Sequence, residues 1–212
     1  MNGYHEAATV LNDWMERGIH TVLTAEQEAQ FTIEFQKMCI LDYLIRNTDR
    51  HLENWLIGQD PEDGTLHIAA IDNGLAFPTQ HPETASIFRR FPFNWATLPW
   101  ANQPWNDELR HDFLTKMTPT FLHTLCENLL HLFKHDRSHP RVLNYDQIRV
   151  LRGQVCSLLI LLADNCSMYN GLGMEPATVR LQARDALPAS EETSSPVEEK
   201  VGILIVQCVL AN

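Results

Sequence analysis

Apolar residues recur close to a 3.6-residue period in four stretches of this chain, and each stretch predicts an amphipathic helix. The first covers residues 3–16, with Tyr4, Ala7, Ala8, Leu11, Trp14 and Met15 on one face. In the second, residues 25–46, the apolar positions are Phe31, Phe35, Met38, Cys39, Tyr43 and Leu44, and Thr24 stands where an N-cap belongs. Residues 119–135 carry a stripe of Leu122, Leu125, Leu129, Leu132 and Phe133, and residues 144–165 carry Tyr145, Ile148, Leu151, Val155, Leu158, Leu159 and Leu162. Two short runs break the helical pattern. Trp55-Leu56-Ile57 and Leu66 to Ile71 flank Gln59-Asp60-Pro61-Glu62-Asp63-Gly64, whose Pro and Asp-Gly predict a β-hairpin. The expected fold class is therefore α+β, mainly helical with one small hairpin.

Composition narrows the classes of function. With 212 residues, 44% hydrophobic and 20% charged, the chain is long enough to bury a substantial core and fits one domain. A formal net charge of −11 argues against nucleic acid as a partner, because counterion release needs a clustered basic surface. Cys39, Cys126, Cys156, Cys166 and Cys208 are odd in number and contain no Cys-x-x-Cys pair, so they are expected to be reduced cysteines. The N-terminal residues do not resemble a secretory signal.

Candidate chemistry sits between the second helix and the far side of the hairpin. The run Ile45-Arg46-Asn47-Thr48-Asp49-Arg50-His51-Leu52-Glu53-Asn54 is followed by Ala70-Ile71-Asp72-Asn73-Gly74. This order, a carboxylate, an amide five positions on and a second carboxylate after a hairpin, is how a kinase-type phosphotransferase presents its polar groups. One carboxylate receives the proton of the attacking hydroxyl, while an amide oxygen and a second carboxylate hold Mg²⁺ on the phosphates of ATP. Asp49, Asn54 and Asp72 fill these places in order. A hairpin would set Asn54 at its entrance and Asp72 at its exit.

These strings resemble the C-terminal lobe of the type II phosphatidylinositol 4-kinases. The likeness runs from Gly3-Tyr4 to roughly Asp164 and is carried by residues 42–50, by Ala70-Ile71-Asp72-Asn73-Gly74-Leu75-Ala76-Phe77-Pro78, by Phe91-Pro92-Phe93-Asn94-Trp95-Ala96 and by Leu151-Arg152-Gly153-Gln154. It departs at His51, where that family usually has Gly, and at Glu53, where it usually has Asp. The resemblance implies a protein-kinase-like C-lobe over residues 1–187, with the catalytic loop at 46–54, the metal-binding motif at 72–74 and the activation segment at 75–105. It also implies that Asp49 is the catalytic aspartate, that Asp72 binds metal and ATP, and that phosphatidylinositol is the acceptor at a cytosolic membrane face such as Golgi, endosome or plasma membrane. Arg50 is expected to stabilise the loop.

Several kinase parts are not recognisable in the sequence. Before Asp49 only Gly3, Gly18 and Lys37 could serve a phosphate-covering loop and its lysine, and Lys37 falls inside a predicted helix, so an N-lobe is expected to be absent. The family's acylated cysteine cluster has no counterpart here. A competing expectation from a different class is thus a non-catalytic membrane- or partner-binding lobe without the ATP clamp. A weaker one is a small-molecule or protein kinase using the same loop.

After the metal motif, Phe88, Arg89, Arg90, Phe91, Phe93 and Trp95 combine aromatic rings with positive charge, which suits a lipid interface. Trp100 and Trp105 follow among prolines and are expected in the core. On the third helix His123, Glu127, His131 and His135 recur every four residues, a spacing that suits either a transition metal or an ordinary solvated face. Residues 188–212 are expected to be a flexible acidic tail with a short apolar end.

Overall fold

The computed structural model describes residues 3–47, 49–78, 93–135, 145–165 and 167–168. These residues fall into two compact units, one up to Gln103 together with Ser167 and Met168, the other from Pro104 to Asn165.

The first unit is built on one long helix. Helix α3, Ala25–Ile45, starts at a capping box in which the Thr24 hydroxyl accepts from the Gln27 backbone N–H and the Gln27 side chain returns the bond. It stops where Arg46 turns left-handed, with φ of 48°, and Asn47 N–H donates to the Asp42 carbonyl at 3.0 Å. That closing bond is the Schellman arrangement, here without the usual glycine. The helix follows α1 (Ala7–Arg17) and a single turn, α2 (Ile19–Val22).

Strands β1 (Tyr4–Glu6), β2 (Trp55–Gln59) and β3 (Leu66–Ala70) form an antiparallel sheet in that spatial order. The hairpin β2–β3 was expected. The third strand was not: residues 4–6 lie in β1, and the helix expected over 3–16 begins only at Ala7. Pairing explains the change, since Tyr4 faces Gly58 across the sheet, and a Cβ at Gly58 would come within 2.8 Å of the Tyr4 ring. The ring lies over space that only glycine leaves open. At the other edge the Gln30 side chain of α3 both donates to the Leu66 carbonyl, at 2.5 Å, and accepts from the Leu66 N–H, at 3.0 Å. A side-chain amide here takes the place of a neighbouring strand.

Helix and sheet close on aromatic rings. Phe31 meets Trp14 edge-on at 5.1 Å and Trp100 at 4.9 Å, while Phe35 lies 6.1 Å from Trp55 and 6.3 Å from Trp95. Such edge-to-face pairs add to the apolar burial itself. Trp95 and Trp100 come from two short 3-10 turns, Asn94–Thr97 and Pro99–Asn102.

The second unit comprises α4 (Asp107–Lys116), α5 (Pro119–His135) and α6 (Tyr145–Ala163). Along α6 the expected stripe is buried, including Ile148, Leu151, Val155, Leu158, Leu159 and Leu162. Its last turn is tied to α4 by Arg110 Nη1, which donates to the Leu162 carbonyl at 3.2 Å. On α5 the buried line is Leu122, Cys126 and Leu130, turned away from the expected stripe, and Leu132 is 66% exposed. His123, Glu127, His131 and His135 are exposed, and no group of three or more metal-ligating side chains is gathered among the described residues. Cys39, Cys126 and Cys156 are buried and form no disulfide. No described helix is long and apolar enough to cross a membrane. The expected tail at 188–212 lies outside the described residues.

Replacing Gln30 with Leu strips both partners from Leu66 and should lower stability by about 1–3 kcal/mol, the usual cost of unsatisfied buried polar groups. Urea unfolding followed by circular dichroism measures it, and a change near zero would show that the bond pair does not hold β3 to α3.

Candidate active site

A charged side chain on the apolar face of a helix needs a partner, and α3 carries one. Asp42 continues the line of Phe31, Phe35 and Met38 and is fully buried. Its carboxylate receives the Arg50 Nε–H at 3.0 and 3.1 Å and the Trp95 indole N–H at 3.0 Å. Burial pushes the Asp42 carboxyl up to about 6, although Arg50, Trp95 and Asn47 all pull in the opposite direction.

Arg50, equally buried, spends the rest of its fork on the loop around it. Nη1 donates to the carbonyls of Asn54 and Ile71, and Nη2 donates to Asn73 Oδ1. Asn47, completely buried, donates to the same Asn73 oxygen at 3.3 Å and accepts the Asp49 N–H at 3.1 Å. The guanidinium is thus consumed by the protein, and its burial keeps it from contact with a substrate.

The three residues expected to carry the chemistry converge on this scaffold. Asn54 Nδ2 donates to the Asp49 carbonyl at 2.8 Å, and its own carbonyl accepts the Ile71 N–H at 3.0 Å, which extends the β2–β3 register by one pair beyond Trp55 and Ala70. Asp72 follows directly. It is exposed, and it adopts a left-handed backbone with φ of 48°, a conformation that Asp and Asn tolerate better than most side chains. The turn sends Asn73 towards Arg50 and leaves Asp72 in the open. The Asp49 carboxylate is 25% exposed, with His51 Nε2 at 4.0 Å. Among the described residues Asn54 Oδ1 accepts no hydrogen bond.

That donor set fits a magnesium-nucleotide complex. An exposed carboxylate at Asp72 and an uncommitted amide oxygen at Asn54 are the hard oxygen ligands Mg²⁺ takes, and few protein ligands are needed because water and phosphate complete the shell. Asp49, partly open and joined to Asn54 through its own backbone, is placed to receive a proton from a hydroxyl acceptor.

Residues 7–144 match the pattern of the family described as phosphatidylinositol 3- and 4-kinase. The chain belongs to that family. Phosphatidylinositol 4-kinase type 2-beta of Danio rerio is 36% identical over 184 residues, 79% of this chain and 35% of that protein. The type 2-beta enzyme of Mus musculus is 38% identical over 172 residues, 73% of this chain and 36% of that protein. The type 2-alpha enzyme of Xenopus laevis is 34% identical over 202 residues, 88% and 42% respectively. The chain therefore spans between 35% and 42% of the length of these relatives.

The membrane-facing expectation divides in this family member. Phe88, Arg89, Arg90 and Phe91 lie outside the described residues. Phe93 and Trp95 do not face outward: they are 5% and 0% exposed and stack at 4.6 Å with ring planes 6° apart. Trp95 is held inward because its N–H is needed by Asp42. Sequence reasoning missed that role, and also missed Asp42, Asn47 and Asn73 as the frame of the site. The readable signal was Asp42 itself, an acid on an otherwise apolar helix face.

The folded-state pKa of Asp42 exceeds its ordinary value of 3.8, so the stability this group contributes is fully present below about pH 4 and is lost as pH rises through about 6. The Trp95 indole N–H resonance should titrate with a midpoint near pH 6 in a folded sample, and Asp42→Asn should abolish that transition. An indole resonance that stays unshifted between pH 5 and 7 in the wild type would contradict the burial effect.

Proposed function

We propose that this chain is the C-lobe portion of a type 2 phosphatidylinositol 4-kinase, transferring the γ-phosphate of ATP to the 4-hydroxyl of phosphatidylinositol. The observation that carries the reading is the convergence of Asp49, Asn54 and Asp72 through the Asn54–Asp49 and Ile71–Asn54 hydrogen bonds. The choice of the 4-hydroxyl rests on the printed names of the relatives.

Asp49 orients the inositol hydroxyl and receives its proton as the new bond to phosphorus forms. Asn54 and Asp72 hold the metal side of the nucleotide, where Mg²⁺ would neutralise charge on the phosphate oxygens. Arg50 does no chemistry and fixes the loop. The acceptor lies in a bilayer, so Phe88, Arg89, Arg90 and Phe91 are proposed to meet the membrane on the cytosolic face of Golgi, endosome or plasma membrane. Two arginines at about 1 kcal/mol each and two rings give weak, reversible attachment.

One observation favours a second reading. Among the described residues no lysine lies on the sheet: Lys37 is on α3, 2.7 Å from Glu34, Lys116 is 2.7 Å from Asp112 on α4, and Lys134 is at the exposed end of α5. The lysine that clamps the α- and β-phosphates would then come from outside these residues, or the lobe serves as a non-catalytic membrane- or partner-binding module. ATP binding by the 212-residue chain, set beside binding by a longer form, separates the two.

In a form that turns over lipid, Asp49→Asn should lower the rate by roughly 10²–10⁴ while keeping shape. Asp72→Asn should instead raise the Mg²⁺ concentration needed for activity. An unchanged Mg²⁺ dependence would remove Asp72 from the metal site.

For the membrane surface, Phe88→Ala with Phe91→Ala should reduce co-sedimentation with anionic vesicles containing phosphatidylinositol, at unchanged circular dichroism. Equal partitioning of the two folded proteins would exclude these rings from the contact.

A further inference from the structure

A Trp that reaches the core through stacking alone has no need of its N–H, yet Trp95 directs that N–H at the most buried carboxylate of the first unit. The same carboxylate holds Arg50, which bonds the carbonyls of Asn54 and Ile71 and the side chain of Asn73. By contrast the buried indoles of Trp55 and Trp100 have no hydrogen-bond partner. The difference marks Trp95 as a connector.

We propose that Trp95 and Asp42 are positioning residues for phosphoryl transfer: the Trp95 N–H, through Asp42 and Arg50, registers the chain beyond the metal motif to the loop carrying Asp49 and Asn54. This inference rests on the assignment of Asp49, Asn54 and Asp72 as the reacting site and adds how that site is kept in register. The sequence distance spanned is large, since Trp95 and Asp42 are 53 positions apart, and the connection is made by one hydrogen bond at 3.0 Å. The carboxylate is shared among the guanidinium, the Asn47 side chain and the indole, and of these the indole alone comes from beyond the metal motif. If the indole bond is lost, the carboxylate is left to Arg50 and Asn47, both on the loop side, and shifts towards them, so that the three loop contacts made by the other guanidinium nitrogens loosen together.

Trp95→Phe is the informative variant because it keeps an aromatic ring against Phe93 and deletes the donor; the small cavity it leaves is absent from Asp42→Asn, which is why the two are compared. In hydrogen-exchange mass spectrometry of the whole chain, amides in residues 49–54 and 71–73 should exchange about tenfold faster, the effect of one lost hydrogen bond to a charged group. Amides of α1 should keep their wild-type rates. Asp42→Asn should reproduce this regional pattern. Uniform acceleration across the chain, or none, would overturn the proposal, the first by making Trp95 ordinary core and the second by making its N–H idle. Where turnover is measurable, kcat should fall about tenfold with KM for ATP unchanged, and an equal loss in both would also count against positioning. The exchange measurement requires neither nucleotide nor lipid. A protein that shows the regional pattern but does not phosphorylate phosphatidylinositol would refute the proposed activity and leave the connector standing.

Discussion

The buried pairing of Arg50 with Asp42 is the constraint on which the arrangement of the site depends. Removing two charges from water costs several kcal/mol per ion, and the cost is offset only when every donor and acceptor finds a partner. Here the guanidinium finds the carboxylate, two backbone carbonyls and an amide oxygen, and the carboxylate adds an indole N–H. These partners come from the end of α3, the start of β2, the exit of β3 and the turn at Trp95. The sheet ladder joins two of those places, the start of β2 and the exit of β3, but not all four. The ion pair does.

Because the charged pair holds the loop, the two carboxylates proposed to act in the reaction, Asp49 and Asp72, are left outside it. The Asp49 carboxylate is partly open and Asp72 is exposed, whereas Asp42 is fully buried. Rigid support beneath and open carboxylates above are what a site needs if its geometry is to survive the arrival and departure of a nucleotide.

The sequence was legible where local rules dominate. The Thr24 cap, the period of α3 and the turn residues of the hairpin each placed an element within a residue or two, and the spacing of Asp49, Asn54 and Asp72 around that hairpin brought the three together as the β2–β3 register requires. What could not be read depended on long-range pairing. Tyr4 to Glu6 look helical alone and become a strand only because Gly58 stands opposite. Trp95 reads as an interfacial aromatic among arginines, and only the buried acid 53 positions earlier draws it inward. The stripe on α5 was misplaced by about one position because Cys126, a small residue easily passed over beside four leucines, occupies its buried centre.

The left-handed backbone at Asp72 acts as a filter on identity as well as a bend. A longer acid could reach the proposed ion, yet Glu gains little from the local hydrogen bonding that lets a short Asp or Asn side chain settle at positive φ, where every residue with a Cβ is crowded. Glycine would accept the bend and bring no ligand, and asparagine would accept it and bring no charge. For the proposed metal ligand, conformation and chemistry therefore favour the same residue, an aspartate, before any phosphate arrives.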